Sequence, residues 1–379
     1  MPRKILVVVQ FTVAVTLIIG TIIVDQQVQF AQSRPVGYDR SGLISLDMAD
    51  PNYVGKTDLL RNEVLATGVV SEVAYTSEPL TEVWRTRSGY DWEGKDPSLD
   101  VNFVSSIVTF EFGKAIGWKI IEGRDFSIDH PSDTSQSVIL NQSAIKYMGM
   151  KDPVGKQFIN LDEFGRFKWS RTIVGIVEDI VMESPYDPVK PTIYSHYKDA
   201  LSMIHIKIAP ETSASVAIPK IQEVFKKLVP TASFDYKFVD TEFANKFRQE
   251  QQIGKLSSIF SVLAILISSL GLFGLSSFVA EQKTKEIGLR KVMGASVFSI
   301  WKMLSKDFVI LVVISCCVAA PVAYYFMDNW LQKYPYRTEL SYWIFGLVLI
   351  SALTITLVTI SFHAVKAGVA NPVDSLRSE

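Results

Sequence analysis

Cysteine is nearly absent: the chain has two in 379 residues, Cys316 and Cys317, adjacent to each other. Neighbours inside one apolar run cannot staple a distant domain, so no disulfide framework is expected. Histidine is also scarce. His130, His196, His205 and His363 show no metal-ligand spacing and have no cysteine partner, so no metal site is expected. His196 and His205 fall on neighbouring strand candidates and are expected on an exposed polar face. No Gly-x-Ser-x-Gly elbow is present, and Asp125 and Asp129 sit in a polar loop where solvation is their expected state. Charge of one sign is missing too. Lys and Arg number 38 and Asp and Glu 39, and no basic patch points to nucleic acid.

One segment approaches a phosphate loop, Gly89-Tyr-Asp-Trp-Glu-Gly-Lys-Asp96. Asp96 stands where a Ser or Thr hydroxyl would hold magnesium, and an anion there repels phosphate. The chain is therefore not expected to hydrolyse ATP, and no enzymatic activity or cofactor is expected of it.

Long apolar runs are what the sequence has in abundance. Ile5–Val24, Leu256–Ala280, Phe308–Met327 and Tyr342–Phe362 contain no Lys, Arg, Asp, Glu or His. Each matches the roughly 20 helical residues that cross a hydrocarbon core, and backbone in lipid must be helical. The first run is too long for a signal-peptide core and lacks a small-residue cleavage site, so a retained helix is expected. Basic residues orient the chain. Arg3 and Lys4 precede the first run. Lys283, Lys285, Arg290, Lys291, Lys302 and Lys306 lie between the second and third, and Lys366 and Arg377 follow the last. Both termini and the loop 281–307 are expected in the cytoplasm. Residues 25–255 are expected outside, with Lys246, Arg248 and Lys255 a local exception. Trp330, Tyr334, Tyr336, Tyr342 and Trp343 form an interfacial aromatic belt at the outer end.

The expected organisation is an N-terminal transmembrane helix (1–24), a large α+β domain (25–255), and a three-helix membrane domain (256–379). Strand candidates are Ser105–Phe112, Ser137–Asn141, Thr172–Glu178, Thr192–Tyr197, Ser202–Ala209 and Ser233–Val239. In Ser202–Ala209 the isoleucines alternate with His205 and Lys207, which predicts one covered face. Helix candidates are Asp58–Thr67, Gln142–Met148 and Ala217–Val229, the last with Pro219 in its first turn and Pro230 as its stop. Gly37–Gly55 and Ser88–Ser98 read as loops. Thr241–Lys255 is expected to run unbroken into the second span. Short strands without strict alternation with helices favour α+β.

Ser257, Ser261, Ala264, Ser268 and Gly271 fall on one face of the second span. Small residues let helices approach closely in lipid; the face packs either within this chain's bundle or against a second subunit. No ionisable residue lines a span, which argues against ion-coupled transport. In the loop 281–307, Thr284–Met293 is expected to continue the second span, with Gly294 ending it. Ser296 then caps Val297–Ser305, whose apolar face predicts a helix lying along the inner membrane surface, as an anchor or a docking element.

Lys285-Glu-Ile-Gly-Leu-Arg-Lys-Val-Met-Gly-Ala295 resembles the signature of the MacB/FtsX-like ABC transporter permeases. Asn141–Lys156 followed by Thr172–Asp179 is similar to that family's periplasmic core domain, and Ala370–Arg377 resembles its Asn-Pro-Val-x-x-Leu-Arg tail. The chain is most similar to the second half of longer, two-repeat members. The resemblance implies a permease in a bacterial inner membrane with residues 25–255 in the periplasm. It implies a separate cytoplasmic ATPase that binds the ATP and moves the periplasmic domain, for export or envelope extraction of peptides, drugs or lipoproteins. A second permease subunit or half and a periplasmic adaptor are further implied partners. The matching positions Glu286, Arg290, Lys291, Gly294 and Ala295 are the implied ATPase-coupling residues. A membrane sensor relaying a periplasmic signal is the alternative.

Overall fold

The computed structural model describes residues 2–99, 102–162, 164–197 and 200–369. In chain order the elements are α1 (Pro2–Gln32), β1 (Leu43–Asp47), α2 (Thr57–Ala66), β2 (Val70–Thr76), β3 (Thr86–Arg87), β4 (Tyr90–Trp92), β5 (Phe103–Val108), α3 (Phe112–Ile116) and β6 (Ile120–Gly123). There follow β7 (Ser137–Asn141), α4 (Gln142–Met148), β8 (Gln157–Leu161), β9 (Phe167–Val177), β10 (Thr192–His196), β11 (Met203–Ile208), α5 (Ala214–Leu228), β12 (Tyr236–Phe238) and α6 (Val239–Asn245). The last four are α7 (Arg248–Gln282), α8 (Thr284–Val292), α9 (Val297–Leu331) and α10 (Trp343–Val369). They divide into a mixed α/β unit, Arg34–Phe247, and a helical unit made of the described residues on either side of it. Positions 24/25 and 255/256, the expected domain limits, both fall inside continuous helices, α1 and α7.

Four helices of the helical unit are long and apolar enough to cross a membrane. Their buried stripes recur every four residues, which keeps them on one helix face. Val7, Phe11, Val15, Ile19 and Ile23 form the stripe of α1, and Ile300, Leu304, Phe308, Val312 and Cys316 that of α9. Ile344, Val348, Ala352 and Ile360 complete the core from α10. Hydroxyls along these helices donate to the carbonyl four residues back, as Thr12 does to Val8 (2.8 Å) and Ser315 to Leu311 (2.8 Å). That satisfies these hydroxyls where water is absent. Gln27 is fully buried. Its amide donates to the Tyr336 carbonyl (3.0 Å) and accepts from the Thr338 N–H (2.8 Å), pinning the α9–α10 connection to α1. Tyr336 also stacks on Phe30 at 4.7 Å.

Three expectations about helix ends are corrected. Residues 241–255 are not one helix: α6 stops at Asn245, and α7 restarts at Arg248. Val297–Ser305 is not a separate surface helix but the first turns of the 35-residue α9. Its apolar face, Ile300 and Leu304, is buried in the bundle rather than laid on lipid. Residues 284–292 do not simply continue α7 either, since Lys283 interrupts the helix for one residue. At 1.5 Å per residue α7 and α9 are each about 52 Å long, beyond a hydrocarbon core of about 30 Å.

The other unit is built on a mixed sheet with the order β12-β1-β11-β2-β5-β10-β7-β9-β8-β4, β3 pairing with β5 and β6 with β9. The pairs β5/β10 and β7/β9 are parallel. β7, Ser-Val-Ile-Leu-Asn, is buried at every position, as a covered central strand requires. One core packs α2 and α5 on β1, β2 and β11; Ala217, Ile221 and Phe225 supply the α5 stripe. A second core gathers Tyr90, Trp92, Phe103 and Phe158 near α4. The Tyr90 and Phe103 rings meet edge-on at 5.4 Å, and Trp92 lies parallel to Phe158 at 6.5 Å.

Several local readings change here. Gly37–Gly55 contains β1, paired with both β11 and β12. Ser88–Ser98 contains β4, paired with β8. The strand expected at Ser105–Phe112 starts at Phe103 and ends at Val108, because Phe112 opens α3, which stops at left-handed Gly117 (φ 64°). Pro219 lies well inside α5, which begins at Ala214. His205 and His196 are buried, not on an exposed face, and β10 and β11 are separated by β5 and β2. Asp125 is not simply solvated: it accepts from Trp118 Nε1 (2.8 Å), and burial raises its pKa.

Candidate coupling elbow

The segment from the end of α7 to the start of α9 is the candidate site. α8 is short because its ends are marked in sequence. Its last turn carries Arg290 and Lys291, which suit the negative helix end. Gly294 adopts φ 90°, a conformation costly for any residue with a Cβ. There the Gly294 N–H donates to the Lys291 carbonyl (3.0 Å) and the Ala295 N–H to the Arg290 carbonyl (2.9 Å), which satisfies the helix end. Ser296 immediately caps α9, accepting from the Ser299 N–H (3.2 Å). Two helices are thus joined by a tight, fully bonded turn.

Ile287 and Gly288 are buried against the bundle, so α8 is anchored by one face. On the other, Glu286 and Arg290 form an exposed ion pair at 2.8 Å, four residues apart. Such a pair contributes only about 0.3–0.5 kcal/mol. Leu289, Val292, Met293 and Phe298 are also exposed, Met293 by 71%. Sequence reasoning singled out the charges and missed this apolar crest. Which apolar residues of α8 face outward follows from the packing of Ile287 against the bundle, not from the sequence pattern.

Lys4 reaches Asp307 of α9 at 3.5 Å, and Trp301 Nε1 donates to Ser361 of α10 at 2.9 Å. The first turns of α1, the elbow side of α9 and the last turns of α10 therefore lie at one end of the helical unit. The residues Ala370–Arg377 fall outside the described residues.

The small-residue face of α7 turns towards α1. Ser261 and Ser268 are buried, and Ser257, Ala264 and Gly271 half-buried. Ser261 Oγ lies 3.2 Å from Thr21 Oγ1, and a Cβ on Gly271 would stand 2.8 Å from Gln10 Oε1.

In the α/β unit, the stretches Asn141–Lys156 and Thr172–Asp179 are stitched together. Asn141 caps α4 and donates to Asp179 (2.8 Å), which also accepts from the Ser143 N–H and hydroxyl. The Lys156 and Ile173 backbones bond at 3.0 Å. The near-phosphate-loop is otherwise engaged: Lys95 donates to its own Tyr90 carbonyl, and Asp96 accepts from Ser98. Among the described residues no three His, Cys, Asp or Glu gather to hold a metal ion.

Residues 258–371 match the family model FtsX-like permease C-terminal. Over that stretch, under a third of the chain, it is similar to the FtsX-like permeases. Three relatives carry the name macrolide export ATP-binding/permease protein MacB. That of Aggregatibacter actinomycetemcomitans is 24% identical over 53% of this chain and 31% of its own length. That of Neisseria gonorrhoeae is 24% identical over 69% of this chain and 42% of its own length. That of Campylobacter fetus is 23% identical over 73% and 40%. The chain thus spans less than half the length of these relatives. Among solved structures, the periplasmic region of MacB from Actinobacillus actinomycetemcomitans aligns over 54% of this chain and 91% of that one, at 18% identity and a TM-score of 0.38. The extracellular domain of the noncanonic ABC-type transporter YknZ aligns over 51% and 98%, at 11% identity and a TM-score of 0.35.

Proposed function

We propose that this chain is the non-catalytic membrane subunit of an ABC transporter, coupling ATP hydrolysis by a separate cytoplasmic ATPase to movement of its α/β domain. The observation that carries the reading is the elbow. α8 is anchored by Ile287, exposes Glu286, Arg290 and an apolar crest with Lys291 half-buried beside them, and is followed by a rigid turn at Gly294 and Ala295. A push on α8 meets packed helix rather than slack loop. In this reading the elbow and both termini face the cytoplasm, residues 34–247 the periplasm, and the membrane is a bacterial inner membrane. A second permease subunit or half completes the assembly, and a periplasmic adaptor extends it. The family resemblance supports peptides, drugs or lipoproteins as cargo, exported or extracted from the envelope.

The test is co-purification of the full chain with a candidate ABC ATPase from the same organism. Glu286→Ala and Arg290→Ala are expected to reduce ATPase stimulation at least about tenfold, the equivalent of about 1.4 kcal/mol of coupling. Both side chains are exposed, so the bundle stays folded. Wild-type association and stimulation in both variants would remove the coupling assignment.

A further inference from the structure

The loop between β9 and β10 is short of ways to satisfy its backbone. Ser184-Pro-Tyr-Asp-Pro188 contains two prolines, which lack N–H groups, and it pairs with no strand. Its carbonyls need donors from elsewhere. They receive them from the two residues beside the points where the chain enters and leaves the α/β unit. At the entry, Arg34 donates to the Pro185 carbonyl (2.8 Å) and the Asp187 carbonyl (2.8 Å). At the exit, Lys246 Nζ donates to the Met182 carbonyl (2.6 Å), the Glu183 carbonyl (2.5 Å) and the Thr81 carbonyl (2.5 Å). All three ammonium donors are used. The two flanks add to this grip. The Val181 N–H donates to the Val36 carbonyl (3.0 Å), and the Tyr186 ring meets Phe247 edge-on at 5.9 Å.

We propose that Arg34 and Lys246 form a clasp: two cations, one at each doorway of the α/β domain, that hold the loop 181–188 by its carbonyls and fix where both connecting segments leave the domain. They are positioning residues. The helix break at Lys246–Phe247 then has a purpose, because it frees the Lys246 side chain to turn into the domain. The use of the clasp in force transmission rests on the function proposed above. The clasp itself is testable without an ATPase, so the two can fail separately.

Lys246 also makes the clasp responsive to pH. Burial lowers its pKa to about 8, against Glu82, Glu183 and Glu242, which raise it. The charged groups around it are those three carboxylates together with Lys190, paired with Glu183, and Lys237, paired with Glu242. Arg40 lies over the same Phe243 ring that the ammonium faces. A neutral amine has two donors, so one of the three carbonyls is released above about pH 8.

The experiment is hydrogen exchange with mass spectrometry on the full chain in detergent, corrected for intrinsic rates, at pH 7 and pH 9.5. In the wild type, amides of 181–187 are expected to exchange at least about tenfold faster at pH 9.5, while those of β7 and β9 hold. Lys246→Met should show the fast loop already at pH 7 and no further pH response. Arg34→Met should loosen the same loop, and Arg34→Lys should restore part of the protection. Loop protection unchanged by pH in the wild type overturns the proposal, a reading that needs no variant to fold. So does acceleration spread evenly over the whole sheet.

Discussion

Thr76 links the two most unusual ionisable groups of the α/β domain. Its hydroxyl donates to the Glu78 carbonyl (2.5 Å) and lies 2.9 Å from His205 Nε2. A hydroxyl has one proton, so the imidazole must donate from Nε2, leaving Nδ1 bare. Both groups are buried, Glu78 with one carboxyl oxygen unpartnered. Burial lifts Glu78 from 4.5 to about 7 and lowers His205 from 6.5 to about 4. The signs oppose. The fold keeps a proton on Glu78 that the unfolded chain sheds above 4.5, so this group's contribution falls as pH rises from 4.5 to about 7. The unfolded chain protonates His205 first, so that group's contribution falls as pH drops from 6.5 to about 4. Each effect is on the order of 3 kcal/mol, and between pH 4.5 and 6.5 they nearly cancel. Glu78→Gln removes one of them. Its melting temperature, followed by intrinsic fluorescence of the full chain, should drop by several degrees between pH 6.5 and 5 while the wild type stays level. A level profile in the variant would contradict this pairing.

At the scale of elements, the close approach of α1 and α7 is the feature most open to test. Ser268 is buried on that face, so Ser268→Leu must push the helices apart. With Cys316 and Cys317 replaced by Ala, a Thr21→Cys, Ser261→Cys pair should cross-link readily, because the native oxygens are 3.2 Å apart. Adding Ser268→Leu should cut the yield several-fold. An unchanged yield would mean that α7 presents this face elsewhere. Several elements were legible in the sequence: α4 was bounded by Asn141 and Gly149, α2 lies within a residue of expectation, and β7 matches on its Val-Ile-Leu run although it has no period. Other elements without a period were not. Leu43–Asp47 is only five residues and buried on both faces, so it never alternates. Ile-His-Ile-Lys-Ile in β11 does alternate, yet α3 covers the His205 side, where Phe112 lies 6.2 Å from the imidazole. A covered polar face looks the same in sequence as a wet one. Charges on the elbow were visible, but its exposed apolar crest depends on which way α8 rolls, and only packing of Ile287 decides that.

For the whole molecule, the decisive question is sidedness. Thr134 lies in the α/β domain and Lys285 on α8. With single cysteines at these positions, and the native pair removed, an impermeant maleimide should label Thr134→Cys once the outer envelope is permeable. Lys285→Cys should react only after the inner membrane is opened. Equal access to both would rule out the proposed arrangement.

The α/β domain begins and ends on one short loop, since Arg34 and Lys246 hold carbonyls only two to five residues apart along it. A domain with adjacent termini is a cassette: it can be exchanged between two helices without changing the distance they must span. Selection can then vary the α/β domain while leaving the helical unit alone, and an engineer can do the same by cutting at residues 34 and 247.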